Sequence, residues 1–254
     1  MAAPTFVDTG AYETTGGGTN NKIDISLTAA GDLDIVGEAA DDVAIVITNR
    51  ESTEAATSVT ADWNHFASVP VQQATGGFKY QTDAWWKRLT GTAEALFNVT
   101  WTSSSIWRDG IMLVYRGLIT TETPVINLTT DVETAQNTQP VHPGITISRS
   151  NSGLLFVVAN FNDISGGTPP TGFTERKGSS WAARNLVAYD DLTTTTGATG
   201  TVTGALGGDV EYPLTLLIEL VTEAAGGAAQ DTPELYGRPY GLRGTNHMRQ
   251  ILAQ

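Results

Sequence analysis

Apolar residues in this chain come in short, β-branched runs, each closed off by Gly, Asn, Asp or Thr. That is the pattern of strands joined by turns. The runs fall at residues 23–27, 43–48, 78–89, 97–101, 110–117, 154–159, 181–190, 201–204 and 212–222. The last is long enough for a helix, but Pro213 and the run LTLLIELV fit a buried strand better. Turn-rich stretches separate the runs at 14–21, 52–57, 75–77, 164–171 and 192–200.

The runs also recur in order. DVAIVIT, WNHFAS, DAWWKRL, LFNVTW and RDGIMLVYRGL are followed by GLLFVVA, GFTER, RNLVAYDDL, GTVTG and EYPLTLLIEL. Partners stand about 103–111 residues apart, a drift that loop insertions absorb. Each half supplies about four strands, too few to close a core of ordinary size alone. The expected fold is all-β: one jelly-roll-like β-sandwich over residues 1–223, with halves of about 1–130 and 131–223. Eight strands would form it, and an N-terminal strand can add to them. The stretch AAGGAAQ opens a flexible linker at 224–235, and an extended arm follows at 236–254.

Composition agrees with a folded β protein. The chain has 254 residues, 40% of them apolar, and only 16% charged, which disfavours surface helices rich in Lys and Glu. There is no cysteine, so disulfides, thiolate metal sites and cysteine nucleophiles are excluded. The opening MAAPTFVDTG has neither the basic nor the apolar region of a signal peptide, and no stretch is apolar enough to span a bilayer. The expectation is synthesis in a cytoplasm, kept there or assembled from there into a particle, with no membrane insertion.

Charge singles out the arm. It reads YGRPYGLRGTNHMRQILAQ, and it holds three of the 14 Lys+Arg and no carboxylate. The remaining residues, 1–235, carry 11 basic against 27 acidic side chains, a field that repels phosphates and argues against nucleic acid as a partner. Gly237, Pro239, Gly241 and Gly244 deny the arm regular structure up to Thr245. From there Met248, Ile251 and Leu252 share one face of two helical turns, too short to be stable without a groove to fill. Arg238, Arg243 and Arg249 suit carboxylates of a neighbouring acidic surface, and Tyr240 completes the expected docking set.

The body offers little chemistry. His65, His142 and His247 lie far apart, so no metal site is expected, and no cofactor motif is present. The stretch GDLDIVGEAADD places Leu33, Ile35 and Val36 where a calcium loop needs oxygens, so it reads as a strand edge. No G-x-S-x-G elbow occurs, and Asp190-Asp191 is a weak candidate carboxylate pair better read as a turn. Adjacent Trp85 and Trp86 must point to opposite faces of a sheet. One can fill a core, while the other, like Trp107, is a candidate for stacking on a glycan or touching another subunit.

The opening MAAPTFVDTG, the segments WWKR and GIMLVYRGL, and then GLLFVVA, GFTER and LTLLIEL resemble a family of virion-associated β proteins of tailed bacteriophages. Where that family has a G-W-T turn, this chain has Asp62-Trp63-Asn64 and Gly172-Phe173-Thr174. The resemblance implies a non-enzymatic structural protein of a virion: capsid decoration, head spike or minor tail protein. Its partners would be other virion proteins and copies of itself, a trimer by analogy with jelly-roll subunits. A carbohydrate-binding module of a receptor-binding protein is the alternative.

Overall fold

Runs buried on both faces, rather than alternating ones, set the architecture. The structure is a computed structural model, and it describes residues 3–15, 22–25, 39–72, 77, 79–91, 97–102, 107–135, 138–160, 167–178, 186–207 and 212–222. Among these there is no helix. Two antiparallel five-stranded sheets form the body.

The first sheet is made of β1 (Thr5–Thr15), β2 (Ala40–Arg50), β3 (Asn64–Gln72), β4 (Lys79–Thr90) and β5 (Trp107–Arg116), in the order β1-β5-β2-β4-β3. The second is made of β6 (Val125–Val132), β7 (Gly153–Ala159), β8 (Thr174–Gly178), β9 (Leu186–Asp191) and β10 (Leu214–Leu220), in the order β8-β9-β7-β10-β6. Counted within its own half of the chain, each sheet runs first-fifth-second-fourth-third from one edge. Each sheet is drawn from one continuous stretch of chain. A jelly roll sends successive strands to alternate sheets, so the expected jelly-roll connectivity does not describe these strands. The strand count also exceeds the expected eight.

The sheets pack face to face. Val43, Ile45, Ile47, Leu113 and Tyr115 from the first meet Leu155, Val157, Leu214, Leu216 and Ile218 from the second in one core. The opposite face of each sheet is covered too. In the first half a three-stranded cover (Lys22–Ile25, Phe97–Thr100, Ser58–Val59) seals Val46, Trp85 and Met112, with its own Phe97 and the following Trp101 packed among them. In the second, short ribbons do this: Val141–His142 with Val202–Thr203, Thr146–Ile147 with Gly197–Ala198, and Gly167–Thr168 with Ala205–Leu206. They cover Leu154, Phe156, Val158, Tyr189 and Leu217. Two-sided cover explains why β2 is buried from Asp42 to Arg50, and why β7 and β10 are buried throughout. Full burial of each such aliphatic side chain stabilises by about 1.5–3 kcal/mol. The outer face of each sheet therefore has an apolar cluster under its cover, beside the larger core that the two sheets share.

Polar pins cross the sheet–sheet interface. Tyr80 Oη donates to the Tyr212 carbonyl at 2.6 Å, and Asn49 Nδ2 donates to the Asn160 carbonyl at 2.6 Å. At the far end of the body Thr222 bridges to Leu118, and Ile119 N donates to Val221 O at 2.7 Å. The linker and arm, 224–254, lie outside the described residues.

Candidate functional site

Two recesses open on the outer faces, one in each half. The smaller, of about 250 Å³, is enclosed by Ala55, Ala56, Val59, His65, Ser68, Gln81, Asp83 and Trp85. Strand pairing builds it: Ser68 lies opposite Asp83, and a bulge after His65 keeps the imidazole beside the same carboxylate. His65 Nε2 stands 3.4 Å from Asp83 Oδ1. Gln81 Nε2 donates to both Asp83 oxygens and to Ser68 Oγ, each at 3.0 Å. The hydrogen bond to Asp83 is the main cause that raises the His65 pKa. Ser68, His65 and Asp83 thus meet in space, but the hydroxyl is held by Gln81. The trio lacks the nucleophile–base hydrogen bond that acyl transfer needs.

Beside this recess the Arg50 guanidinium is buried 4.7 Å above the Trp101 ring and 3.8 Å from Glu54. Burial lowers its pKa to about 10, against the pull of Asp83 and Glu54.

The adjacent acids Asp190 and Asp191 are each engaged by neighbouring side chains. Asp190 is buried and accepts from Arg176 Nε at 2.7 Å; burial raises its pKa and the guanidinium opposes the rise. The Tyr115 hydroxyl beside it is held well above its ordinary pKa by burial first and by the Asp190 charge second. Asp191 points to the other face and accepts from Thr193 N and Oγ1 at 3.0 and 2.9 Å. The pair of adjacent acids is therefore split across the sheet, one in the body and one at its surface.

Glu219 is fully buried and collects only neutral donors: Asn127 Nδ2 at 2.6 Å, Ser152 Oγ at 2.9 Å, and the Ser148 and Arg149 amides at 3.0 and 3.2 Å. His142 is buried as well; its Nδ1 accepts from Gly144 N at 3.0 Å and its Nε2 faces Thr129 Oγ1 at 3.2 Å. Burial lowers its pKa. Among the described residues no three His, Cys, Asp or Glu side chains group as metal ligands do, and no helix is long and apolar enough to cross a membrane.

The larger recess is a cleft of about 470 Å³ in the second half. Its floor is Ile147, Leu154, Pro170, Phe173 and Val202, and its walls are threonines 171, 193, 194, 195, 199, 201 and 203 with Asp191 on the rim. Phe173 is half-buried and meets Phe156 edge-on, centroids 6.2 Å apart. Gly144 lets the cover come close: a Cβ there would sit 2.0 Å from the Gly200 carbonyl. The sequence reading takes residues 192–200 only as a loop and Phe173 as part of a turn. The signal it passes over is the density of threonine in DDLTTTTGATGTVTG.

Trp85 and Trp86 do face opposite sides of β4, but neither stands free. Trp85 is 2% exposed, with its ring 5.2 Å from Phe97 and 5.1 Å from His65, so it fills the first-half core and is removed from the glycan-contact set. Trp86 is half-buried against the core between the sheets. Trp107 lies at the start of β5, with its side chain outside the described residues. The docking set Arg238, Tyr240, Arg243, Met248, Arg249, Ile251 and Leu252 lies outside them too, as do His247 and residues 31–38 of the acidic stretch. Of that stretch, Asp42 is buried near the start of the central strand β2 and binds Arg116 through both oxygens at 2.8 and 2.7 Å. No protein-family model, curated protein or solved structure matches this chain.

Proposed function

We propose that the chain is a non-enzymatic structural protein of a bacteriophage-like virion, displayed on the particle surface and anchored through residues 236–254. The observation that carries the reading is the contrast between arm and body. The last strand, β10, is an interior strand of its sheet, so the arm follows a body whose sheets are already built. That body is strongly acidic and the arm holds three arginines and no acid. A basic, Gly-punctuated segment on an acidic β scaffold suits docking on a neighbouring acidic copy or on another virion protein. The resemblance of MAAPTFVDTG, WWKR, GIMLVYRGL and LTLLIEL to phage virion proteins supports the same reading.

We also propose that one five-stranded unit occurs twice in the chain. Val46 faces Trp85 and Met112 where Phe156 faces Tyr189 and Leu217. The entering turn takes a positive φ at Asp62 (70°) and again at Gly172 (87°). Each third strand then bulges, after His65 and after Glu175.

The test is deletion of residues 231–254. The truncated chain is expected to keep its far-ultraviolet β spectrum and its thermal midpoint while failing to join particles assembled with the neighbouring virion proteins. Full incorporation of the truncated chain would overturn the anchoring role.

A further inference from the structure

We propose that the cleft over Phe173 binds a neutral saccharide. The proposal goes beyond the virion reading, and a failed binding test leaves that reading as it stands. Its starting point is a difference between the two halves at matching places. In the first half, Trp63 meets Phe97 edge-on at 4.9 Å, and Phe97, on the cover strand itself, is fully buried with Val99 and Trp101. In the second half the turn residue is Phe173, and the inward positions of the covering chain are Val202, Gly204 and Leu206. These cover positions of the second half thus carry no aromatic side chain, and the cleft of about 470 Å³ opens beside Val202 and Phe173. That volume lies within the range of small-ligand sites.

The lining selects the ligand. Phe173 and Pro170 offer an apolar floor for the C–H face of a sugar ring. Threonine hydroxyls both donate and accept, which suits the paired donors and acceptors of sugar hydroxyls. Thr193 and Thr199 are oriented by bonds to Asp191 Oδ1 (2.9 Å) and to the Gly200 carbonyl (2.9 Å). Among the described residues, the Thr195, Thr201 and Thr203 hydroxyls bond to no protein group and line the opening. Among the described residues no lysine or arginine lines the cleft, and Asp191 is part of its lining. Phosphate, sulfate and uronate ligands find no counter-charge there.

The full chain should be screened on an array of neutral oligosaccharides, with a sulfated hexasaccharide as the anionic probe, and positives titrated by calorimetry. At least one neutral probe is expected to bind at millimolar affinity or better. Phe173→Ala should weaken it by about tenfold or more, and the double substitution Thr201→Val/Thr203→Val by about fivefold or more, with the urea midpoint of the threonine variant unchanged. Should Phe173→Ala fail to fold, the threonine variant decides alone. A blank neutral panel overturns the proposal. So does neutral binding that survives the threonine variant, or equal affinity for the sulfated probe.

Discussion

Asn49, at the end of a central strand of one sheet, donates through Nδ2 to the main-chain oxygen of Asn160, just past the central strand of the other, at 2.6 Å. Both residues are buried, and Asn49 Oδ1 in turn accepts from Thr82 Oγ1 at 3.0 Å. One side chain thus joins two sheets whose facing surfaces are largely apolar. Replacing it strands a buried carbonyl and a buried hydroxyl, each at about 1–3 kcal/mol. Asn49→Ala is expected to destabilise by about 2–4 kcal/mol in urea unfolding. Asn49→Asp should be worse than alanine, because it faces the Asn160 carbonyl with a carboxylate. If Asp is tolerated better than Ala, the donor role is mistaken.

How much of this was legible in the sequence depends on what each residue touches. The Trp85/Trp86 alternation follows from strand geometry alone and holds in β4. Strand β6, reading VINLTTDV, escapes the hydrophobic pattern because it is an edge strand, and most of its residues remain accessible. The outer covers were hard to foresee for the opposite reason. Continuous runs such as VAIVIT and LLFVVA signal sheets buried on both faces, but the covering pieces are too short to carry a period of their own. A sandwich model assigns one wet face to each sheet, and that assumption leads to the jelly roll. Phe173 and the threonines around it became visible as a cleft only once pairing brought residues 141–147 against 197–203. Asp190 reads as a turn acid because nothing local announces Arg176, fourteen residues away, as its partner across the strand pair.

The two described histidines respond to pH in opposite directions. His142 is buried with Nδ1 accepting from Gly144 N, so its neutral form is the one that fits, and burial lowers its pKa from the ordinary 6.5. Below that value the unfolded chain binds the proton more readily, so His142 removes stability as pH falls. His65 has a raised pKa through Asp83, so its contribution is present at low pH and is lost as pH rises through the folded value. That side chain is 48% exposed, which screens its ion pair and leaves His142 dominant. Urea midpoints compared at about pH 7.5 and about pH 5.5 should fall on acidification. His142→Asn should flatten the fall and His65→Asn should steepen it. A His142→Asn protein that still loses as much stability in acid as wild type would place the titrating group elsewhere.

Arg176 and Asp190 supply the most exacting test of the polar interior. The Asp190 carboxylate is 0% exposed, and Arg176 reaches it at 2.7 Å while its guanidinium also lies 4.6 Å from the Phe6 ring of the other sheet. Removing the cation leaves a buried carboxylate uncompensated, a loss of about 3–5 kcal/mol, more than the pair contributes relative to an apolar replacement. Arg176→Met is therefore expected to be strongly destabilising, whereas Arg176→Met/Asp190→Asn should recover part of the loss. The pH dependence of the single variant distinguishes this from lost packing over Phe6. Burial already raises the Asp190 pKa with Arg176 present, and without the guanidinium the Tyr115 hydrogen bond is the one lowering influence left against burial and the Asp191 charge. A carboxyl whose folded pKa lies above its unfolded value binds more protons when native, so stability rises as pH falls. The deficit of Arg176→Met should shrink on acidification from about pH 7 toward about pH 5, relative to wild type. A deficit that stays constant across that range would assign the cost to the cation–aromatic packing instead.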